Sequence, residues 1–247
     1  MKNKRVYVFD WDDNIIHMSS TLMMEKFVNG KWELIDITSS EYAKNRNNPE
    51  YRHPLSIADP YFNFHDSGRF IEHLGIAINN RGFGPSFPKF KECLIHGNDF
   101  AIITARGQSP ETIMAGILML IGNTFLPNEL TQMLSNVDNI IHYLHKQTII
   151  PVSYEGMEFP IITESGLEDT IEIRKILALD SYIETKISKT DEFELDGKFS
   201  VGISDDDEKN IKTIKDFIEK ALKPKYPNIH FVVYDTSNPE NIVKRPI

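Results

Sequence analysis

The sequence contains a single cysteine, Cys93, among its 247 residues. A lone cysteine excludes an internal disulfide and is typical of proteins kept in a reducing compartment. Long apolar runs are lacking too, since the stretch Ala115–Ile121 is far shorter than the ~20 residues that cross a bilayer. The basic start of the chain leads into an apolar run that already ends at Asp10, unlike a secretory signal. We therefore expect a cytoplasmic protein with no membrane partner.

Positive charge is in short supply, because 27 Lys and Arg residues face 36 Asp and Glu residues, for a formal net charge of −9. This balance argues against unspecific binding to nucleic acid. A long nucleic acid is therefore the less favoured partner, although a local basic strip (Arg46, Arg52, Arg69 and Arg81) leaves it open. To bind a phosphorylated small molecule, a protein of this charge would need a local positive centre, either a metal ion or a few well-placed basic side chains.

Strand-like and helix-like segments alternate along the chain. Short runs rich in β-branched and aromatic residues predict strands, and apolar residues at helical spacing predict the helices between them. The predicted strands are 6–9, 100–104, 199–203 and 229–234, with strand-like pieces at 148–154 and 159–163, and the main predicted helices are 69–78, 87–96, 110–121, 170–183 and 211–222. Such alternation predicts an α/β fold with a Rossmann-like, doubly wound parallel sheet.

The segment after the first strand has a different character. Asn29 and Gly30 are the dipeptide that best supports a tight type I′ turn, so 21–28 and 31–38 are predicted to form a hairpin that folds over the strand end as a flap. Ser39 or Ser40 would then cap a short helix. Further on, we expect a loop at 79–88 and a second loop at 184–197.

Three of the predicted strands end in polar residues of complementary chemistry. Asp10 and Asp12 follow the first strand, Thr104 ends the second, and Asp205 and Asp206 follow the third. Since the carboxyl ends of parallel strands lie at one edge of a sheet, these side chains are expected to converge. Asp10 with the paired acids would offer the carboxylate oxygens that Mg²⁺ prefers, and Thr104 a hydroxyl for a phosphoryl oxygen.

These three clusters resemble motifs of the haloacid dehalogenase (HAD) superfamily. Residues 10–14 look like its Asp-x-Asp-x-Thr/Val signature, 101–104 like its apolar strand ending in Thr or Ser, and 201–206 like its strand ending in paired acids. Asn14 stands where the family has Thr or Val. The lysine of the third motif has no unique counterpart.

The resemblance implies a Mg²⁺-dependent phosphomonoester hydrolase that works through an aspartyl-phosphate on a small phosphorylated metabolite or nucleotide. Asp10 would be the nucleophile and Asp12 the general acid and base, while Thr104 would hold the phosphoryl oxygens. The implied metal ligands are Asp10, Asp12 through its backbone carbonyl, Asp205 and Asp206. Lys175, near the start of a helix, is our choice for the motif lysine, and Lys186 and Lys189 stay open as alternatives.

The family also inserts cap modules between its first two motifs. The resemblance thus divides the chain into a core, 1–20 and 99–247, and an insertion at 21–98 that holds the flap and a small cap. Alternatives are a polynucleotide-end phosphatase of the same superfamily, a receiver-like phosphoryl-binding module, and a catalytically silent relative. Asp13 and Asp207 are predicted to be turn or helix-start charges rather than ligands, and Arg106 either reaches the substrate or is structural.

Overall fold

The computed structural model describes residues 4–125, 129, 136–159, 168–188, 199–238 and 240–247. Its strands are β1 (Lys4–Phe9), β2 (Thr21–Val28), β3 (Lys31–Thr38), β4 (Tyr51–Arg52), β5 (Phe100–Thr104), β6 (Thr148–Pro151), β7 (Phe199–Asp205), β8 (His230–Asp235) and β9 (Val243–Pro246). Six of them form a central sheet in the order β6-β5-β1-β7-β8-β9. Every pairing in this sheet is parallel except that of β9 with β8. The α/β class and the mostly parallel sheet are confirmed.

The sheet is wound in both directions from β1. The chain runs outward from β1 to β5 and β6, and then crosses to β7 and β8 on the other side of β1. The order therefore reverses between β1 and β7, and such a switch point leaves a crevice at the carboxyl ends of the two strands.

The helices are α1 (Ser39–Asn45), α2 (Phe62–His65), α3 (Ser67–Asn79), α4 (Phe87–His96), α5 (Pro110–Thr124), α6 (Val137–Leu144), α7 (Ile171–Ser188) and α8 (Glu208–Phe217). Helix α8 continues through a π-turn (Ile218–Leu222) into the short α9 (Lys223–Lys225).

Each face of the sheet is covered by its own set of helices. Alternate residues of β1 point to opposite faces, as the period of a strand requires. Tyr7 and Phe9 pack into a core with α3, α4, α5 and α6, whereas Val6 and Val8 pack with α7 and α8. Because helices cover both faces of the sheet, β5 is buried over its whole length, which agrees with its almost entirely apolar sequence.

A smaller sheet, in the order β3-β2-β4, has a separate small core. The predicted hairpin turn is confirmed: Asn29 and Gly30 have φ of 50° and 83°, the positive values that a type I′ turn requires. The helix that follows is capped by Thr38, not by Ser39 or Ser40 as predicted, because the Thr38 hydroxyl accepts from the Glu41 amide while the Glu41 carboxylate accepts from the Thr38 amide.

The predicted insertion at 21–98 divides between two cores. The small sheet, α1 and α2 lie in the separate small core, but α3 and α4 pack in the main core beside β1 and β5. These two helices are thus part of the layer that covers the central sheet.

Other boundaries also differ from the sequence predictions. α7 continues to Ser188, so the first part of the loop predicted at 184–197 is wrong, and 189–197 lies outside the described residues. Strand β9 was not predicted, since its residues, Val-Lys-Arg-Pro, have no strand-like pattern. The strand-like piece 148–154 is in the sheet only at 148–151, Phe159 is not in a strand, and 160–163 lies outside the described part of the chain. Among the residues described, no helix is long and apolar enough to cross a membrane.

The contact between α3 and α5 gives a test of the main core. Gly116 of α5 faces α3, where an added Cβ would lie 2.6 Å from the Phe70 ring and 3.0 Å from Leu74. We expect Gly116→Ala to lower the free energy of unfolding by about 1–3 kcal/mol, because the buried ring has no space to withdraw.

The matched control is Gly122→Ala in the same helix, where an added Cβ would meet nothing within 4 Å. That change should be neutral or stabilise the protein by up to ~1 kcal/mol through helix propensity. Urea unfolding followed by circular dichroism measures both. Equal effects of the two substitutions would mean that α3 and α5 are not packed as described.

Candidate functional site

Five of the six candidate catalytic and metal-binding residues, all but Asp205, line one cavity of about 360 Å³ at the carboxyl ends of β1, β5 and β7. Asp10 follows β1 directly, Thr104 ends β5, and the Asp10 amide donates to the Ser204 carbonyl on β7 at 3.1 Å. The cavity is lined by Asp10, Asp12, Leu22, Ser39, Tyr42, Ala43, Arg46, Tyr61, Phe64, His65, Thr104, Ala105, Ser153, Ile171, Lys175, Asp206, Asp207 and Asn210. The sheet topology thus brings together residues almost two hundred positions apart.

Three carboxylates form an acidic cluster at this cavity, and two of them, Asp10 and Asp206, line it. Asp10, Asp205 and Asp206 each offer an oxygen within 4.8 Å of the others. Burial raises the pKa of Asp10 to about 7, with further upward contributions from Asp205 and Asp12 and an opposing one from Lys175. Burial and the neighbouring Asp10 also hold the pKa of Asp206 well above its usual value. The ionised cluster is therefore costly unless a cation joins it.

Lys175 supplies one such positive charge. It lies in the second turn of α7, almost fully buried, and its Nζ is 3.0 Å from Asp10 Oδ2 and 2.8 Å from Asp205 Oδ2. Burial alone would lower the pKa of Lys175, but the two carboxylates raise it, so the ammonium stays charged. Of the alternative lysines, Lys186 pairs with Asp99 at 3.2 Å, and Lys189 lies outside the described residues.

The three carboxylates differ in how many of their oxygens are already bonded. Asp205 accepts from Lys175, from the Asn210 side-chain amide and from the Asp207 backbone amide. By contrast, Asp10 Oδ1 is buried with no hydrogen-bond partner, and no hydrogen bond to Asp206 is found within the described chain. The oxygens free to hold a cation or to react with a ligand are thus Asp10 Oδ1 and those of Asp206.

A divalent cation fits this arrangement by charge as well as by ligand type. When fully ionised, the carboxylates of the site carry four negative charges and its two buried cations, Lys175 and Arg106, carry two positive ones. The four carboxylates are those of Asp10, Asp12, Asp205 and Asp206. Oxygen-only ligands of this kind suit Mg²⁺, Mn²⁺ or Ca²⁺. The Asp12 side chain does not belong to the cluster, so any contribution from Asp12 would come from its backbone carbonyl, as the sequence analysis expects.

Asp12 is instead paired with Arg106. Arg106 Nη2 lies 2.6 Å from Asp12 Oδ1 and donates to the Ser20 hydroxyl at 3.1 Å, and the guanidinium is completely buried. Burial raises the pKa of Asp12, while the adjacent guanidinium lowers it, and the result lies above the usual value. A carboxyl with a raised pKa is suited to releasing and retaking a proton. The sequence analysis left the role of Arg106 open; its partner is Asp12.

Asn14, which stands where the resembled HAD signature has Thr or Val, ties three strand ends together. Its side-chain amide donates to the Asp10 carbonyl at 3.2 Å, to the Ser204 carbonyl at 3.1 Å and to the Ser204 hydroxyl at 3.0 Å. Its amide oxygen accepts from the Thr236 hydroxyl, beyond β8, at 3.0 Å. A side-chain amide has two N–H donors and an acceptor oxygen, whereas a Thr hydroxyl has one donor and Val has none, so Asn14 can bond β1, β7 and the end of β8 at once.

The two extra acids have the local roles predicted for them. Asp13 adopts a left-handed conformation, φ 54°, and bonds the His17 ring and the Ser39 hydroxyl. Asp207 caps α8 by accepting from the backbone amides of its first turn. Neither is in the acidic cluster.

The small sheet and its helices supply the opposite wall of the cavity, which the sequence analysis did not assign residue by residue. It contributes the aromatic rings of Tyr42, Tyr61 and Phe64, the imidazole of His65 and the guanidinium of Arg46. Arg46 reaches from the end of α1 to Glu172 at 3.2 Å and to Asp207 at 3.0 Å, which fastens this wall to α7 and α8. The aromatic pattern 61–64 was visible in the sequence, but not which way its rings face.

No protein-family model, curated protein or solved structure matches this chain. The geometry of the site therefore carries the functional argument by itself.

The buried Asp10 carboxyl predicts a pH dependence of stability. Its pKa in the folded protein is about 7, against 3.8 for the free group. Between these values the folded state holds a proton that the unfolded state has lost, so the free energy of unfolding should fall as pH rises from about 4 to 8 in a metal-free buffer.

In Asp10→Asn this contribution disappears, while Lys175 keeps Asp205 as a partner. We expect the variant to exceed the natural protein in stability at pH 8, by on the order of 1–4 kcal/mol. Guanidinium unfolding at pH 5, 6.5 and 8 with a chelator measures the difference. The exposed Asp216→Asn is the control and should leave the pH slope unchanged; a variant destabilised at pH 8 would contradict the account.

The Asn14 bridge predicts a loss of stability on truncation. Asn14→Ala leaves the Ser204 and Thr236 hydroxyls without their buried amide partner. We expect a decrease of about 2–4 kcal/mol in the free energy of unfolding. Asn79→Ala, at an exposed position at the end of α3, should change it by less than ~0.5 kcal/mol. Similar values for the two variants in thermal unfolding would show that Asn14 does not bridge the strands.

Proposed function

We propose that this protein is a Mg²⁺-dependent phosphomonoester hydrolase that works through an aspartyl-phosphate on Asp10. The observation that carries the proposal is the unpartnered Asp10 Oδ1, buried beside Lys175 and Asp206 at the base of a cavity. A nucleophilic carboxylate needs such a free oxygen, positive charge close by and a pocket for the ester.

The same residues fit the resemblance to the HAD superfamily, and membership in it is part of the proposal. Asp10, Thr104 and Asp206 line one cavity, as that resemblance requires, and Lys175 lies where the motif lysine is expected. Asn14 replaces Thr or Val, yet its bridging contacts support the same strand ends.

Mg²⁺ would be held by Asp10 and Asp206, with the Asp12 carbonyl as a further ligand. When bound, it supplies charge neutralisation between the nucleophilic carboxylate and the phosphate dianion. Lys175 adds a positive charge on the other carboxylate oxygen of Asp10, and the Thr104 hydroxyl is available to a phosphoryl oxygen. Each such placed donor is typically worth ~3 kcal/mol of barrier.

In the first step, an Asp10 oxygen attacks phosphorus and the bond from phosphorus to the ester oxygen breaks. Protonated Asp12 gives its proton to that oxygen, so the leaving group departs as a neutral alcohol. The raised pKa of Asp12 keeps the acid form accessible, and the bond from Arg106 fixes one of its oxygens and leaves the other for the proton transfer.

In the second step, the Asp12 carboxylate removes a proton from water as the water oxygen attacks phosphorus. The bond between phosphorus and Asp10 breaks, which releases inorganic phosphate and restores both side chains. Asp12 therefore serves as acid and then as base, which the receiver-like alternative has no need for. The Asp12–Arg106 pair favours the hydrolase over that alternative.

The small sheet with α1 and α2 would act as the flap and cap of this site. Tyr42, Tyr61 and Phe64 lie across the cavity from the carboxylates, and Arg46 holds them to the core. An apolar wall of this kind excludes bulk water from the reacting groups.

We expect Mg²⁺-dependent release of phosphate from p-nitrophenyl phosphate, and a loss of at least about a thousandfold in kcat for Asp10→Asn, because no nucleophile remains. Phosphate is measured colorimetrically with and without a chelator. Asp216→Asn is the matched surface control and should keep full activity. Inactivity of the Mg²⁺-loaded natural protein on a broad panel of phosphate esters would refute the proposal.

A further inference from the structure

The cavity has two chemically different walls. The carboxylates, Thr104 and Lys175 form the polar wall, and the opposite wall is formed by Leu22, Tyr42, Tyr61 and Phe64. The three aromatic residues are only half-buried, although they contribute to the small core, so part of each ring remains open to the cavity. A substrate bound through its phosphate would extend its remaining atoms toward these rings.

Phe64 lies near the place where the leaving group would begin. The Arg106 guanidinium carbon is 4.9 Å from the centre of the Phe64 ring, and the same guanidinium bonds Asp12 at 2.6 Å. Since Asp12 is the proposed proton donor to the ester oxygen, the first carbons attached to that oxygen would come to rest beside Phe64.

Tyr42 and Tyr61 continue the wall. Their rings meet edge to face, at 5.9 Å and 88°, and the Tyr61 hydroxyl donates to the Tyr42 hydroxyl at 2.8 Å. The His53 ring lies against both. Rings held at such angles form a rigid slot, and aromatic partners gain edge or stacking contacts there that an aliphatic group of equal size lacks.

The apolar wall offers no free positive charge among the described residues that line the cavity. Arg46 is engaged by Glu172 and Asp207, Lys175 bonds Asp10 and Asp205, and the His65 ring pairs with Asp59. Acidic side chains are already in excess there. A second anionic group on the leaving group would be desolvated and repelled.

We propose that the cavity selects phosphate monoesters whose leaving group is an uncharged aromatic ring, and that Phe64, Tyr42 and Tyr61 make this selection. The inference rests on the proposed function, because the polar wall must bind the phosphate. Two sources share this chemistry: a phosphate on an aryl-substituted alcohol, and a nucleoside monophosphate with its base as the ring.

The test compares esters matched in size and in leaving-group acidity. Benzyl phosphate and cyclohexylmethyl phosphate differ in the ring alone, and 4-carboxybenzyl phosphate adds one negative charge. We expect kcat/KM for benzyl phosphate to exceed that for each of the other two by about threefold to tenfold or more. Equal values for benzyl and cyclohexylmethyl phosphate would overturn the selection for a ring, and equal values for the carboxylated ester would overturn the selection against charge.

A second pair separates the two sources. Adenosine 5′-monophosphate and ribose 5-phosphate carry the same primary phosphate with and without a base. A higher kcat/KM for the nucleotide identifies the base as the ring. If kcat/KM is equal for the nucleotide and the sugar phosphate while benzyl phosphate is still preferred, the selected ring is the one attached next to the ester oxygen, as in an aryl-substituted alcohol.

The contribution of Phe64 is tested by Phe64→Leu, which keeps apolar bulk and removes the ring. Its matched control is Phe62→Leu in the same helix, an exposed ring that is not among the lining residues. Phe64→Leu should reduce the ratio of benzyl to cyclohexylmethyl turnover severalfold, and Phe62→Leu should leave it unchanged. An unchanged ratio in a folded Phe64→Leu protein would overturn the assignment of Phe64.

Binding measured apart from turnover distinguishes a failure of this inference from a failure of the proposed function. Calorimetry with benzylphosphonate and cyclohexylmethylphosphonate on the Mg²⁺-loaded natural protein needs no hydrolysis. Tighter binding of the benzyl compound without turnover of any ester would refute the hydrolase and support the ligand class. Turnover of the esters with no preference for the benzyl compound in either assay would support the hydrolase and overturn the inference about the ligand class.

Discussion

The constraint on which the site depends is the crowding of carboxylates at the point where the strand order reverses. Asp10 ends one strand and Asp205 and Asp206 end its parallel neighbour, so the sheet itself forces their charges together. Burial makes the repulsion costly, and the protein offsets it only in part, with Lys175 between two of the acids. The remaining negative charge is what a divalent cation bound to the cluster would neutralise.

The opposing wall is not a loosely attached appendage. Arg46 fastens it to α7 and α8, and the Gln108 side-chain amide donates to the carbonyls of Asn63 and Asp66 at 3.2 Å each. Gly107 lets the two segments approach, since a Cβ there would meet the His65 ring. The loop that carries Arg106 is thereby packed against the helix that carries Phe64. Arg106, which bonds the proposed acid, and Phe64, which would contact the leaving group, are thus held together by the same packing contact.

Stability and function pull in opposite directions at this site. An unpartnered, buried oxygen on Asp10 is unfavourable for folding, and the surrounding structure must hold it in place. Asn14 provides part of that support through hydrogen bonds to two neighbouring strand ends. Because those bonds run to main-chain and hydroxyl groups, Asn14 occupies none of the carboxylate oxygens.

The sequence by itself determined the α/β class, the hairpin turn at Asn29 and Gly30, and the strands that lead to Asp10, Thr104 and Asp205, because strand composition and turn chemistry are local signals. The third of these strands runs to Asp205, two residues beyond the predicted 199–203. Only the tertiary structure decided which groups pair across them. Lys175 contacts Asp10 and Asp205 and Arg106 contacts Asp12, across 30 to 165 positions of chain. Of the two alternative lysines, Lys186 pairs with Asp99 instead, and Lys189 lies outside the described residues. The direction in which Tyr42, Tyr61 and Phe64 point could likewise not be predicted from the sequence, because it depends on how a short helix docks and not on its residue types. Pairing across a sheet edge is set by the packing of whole layers, and no spacing within a sequence encodes it.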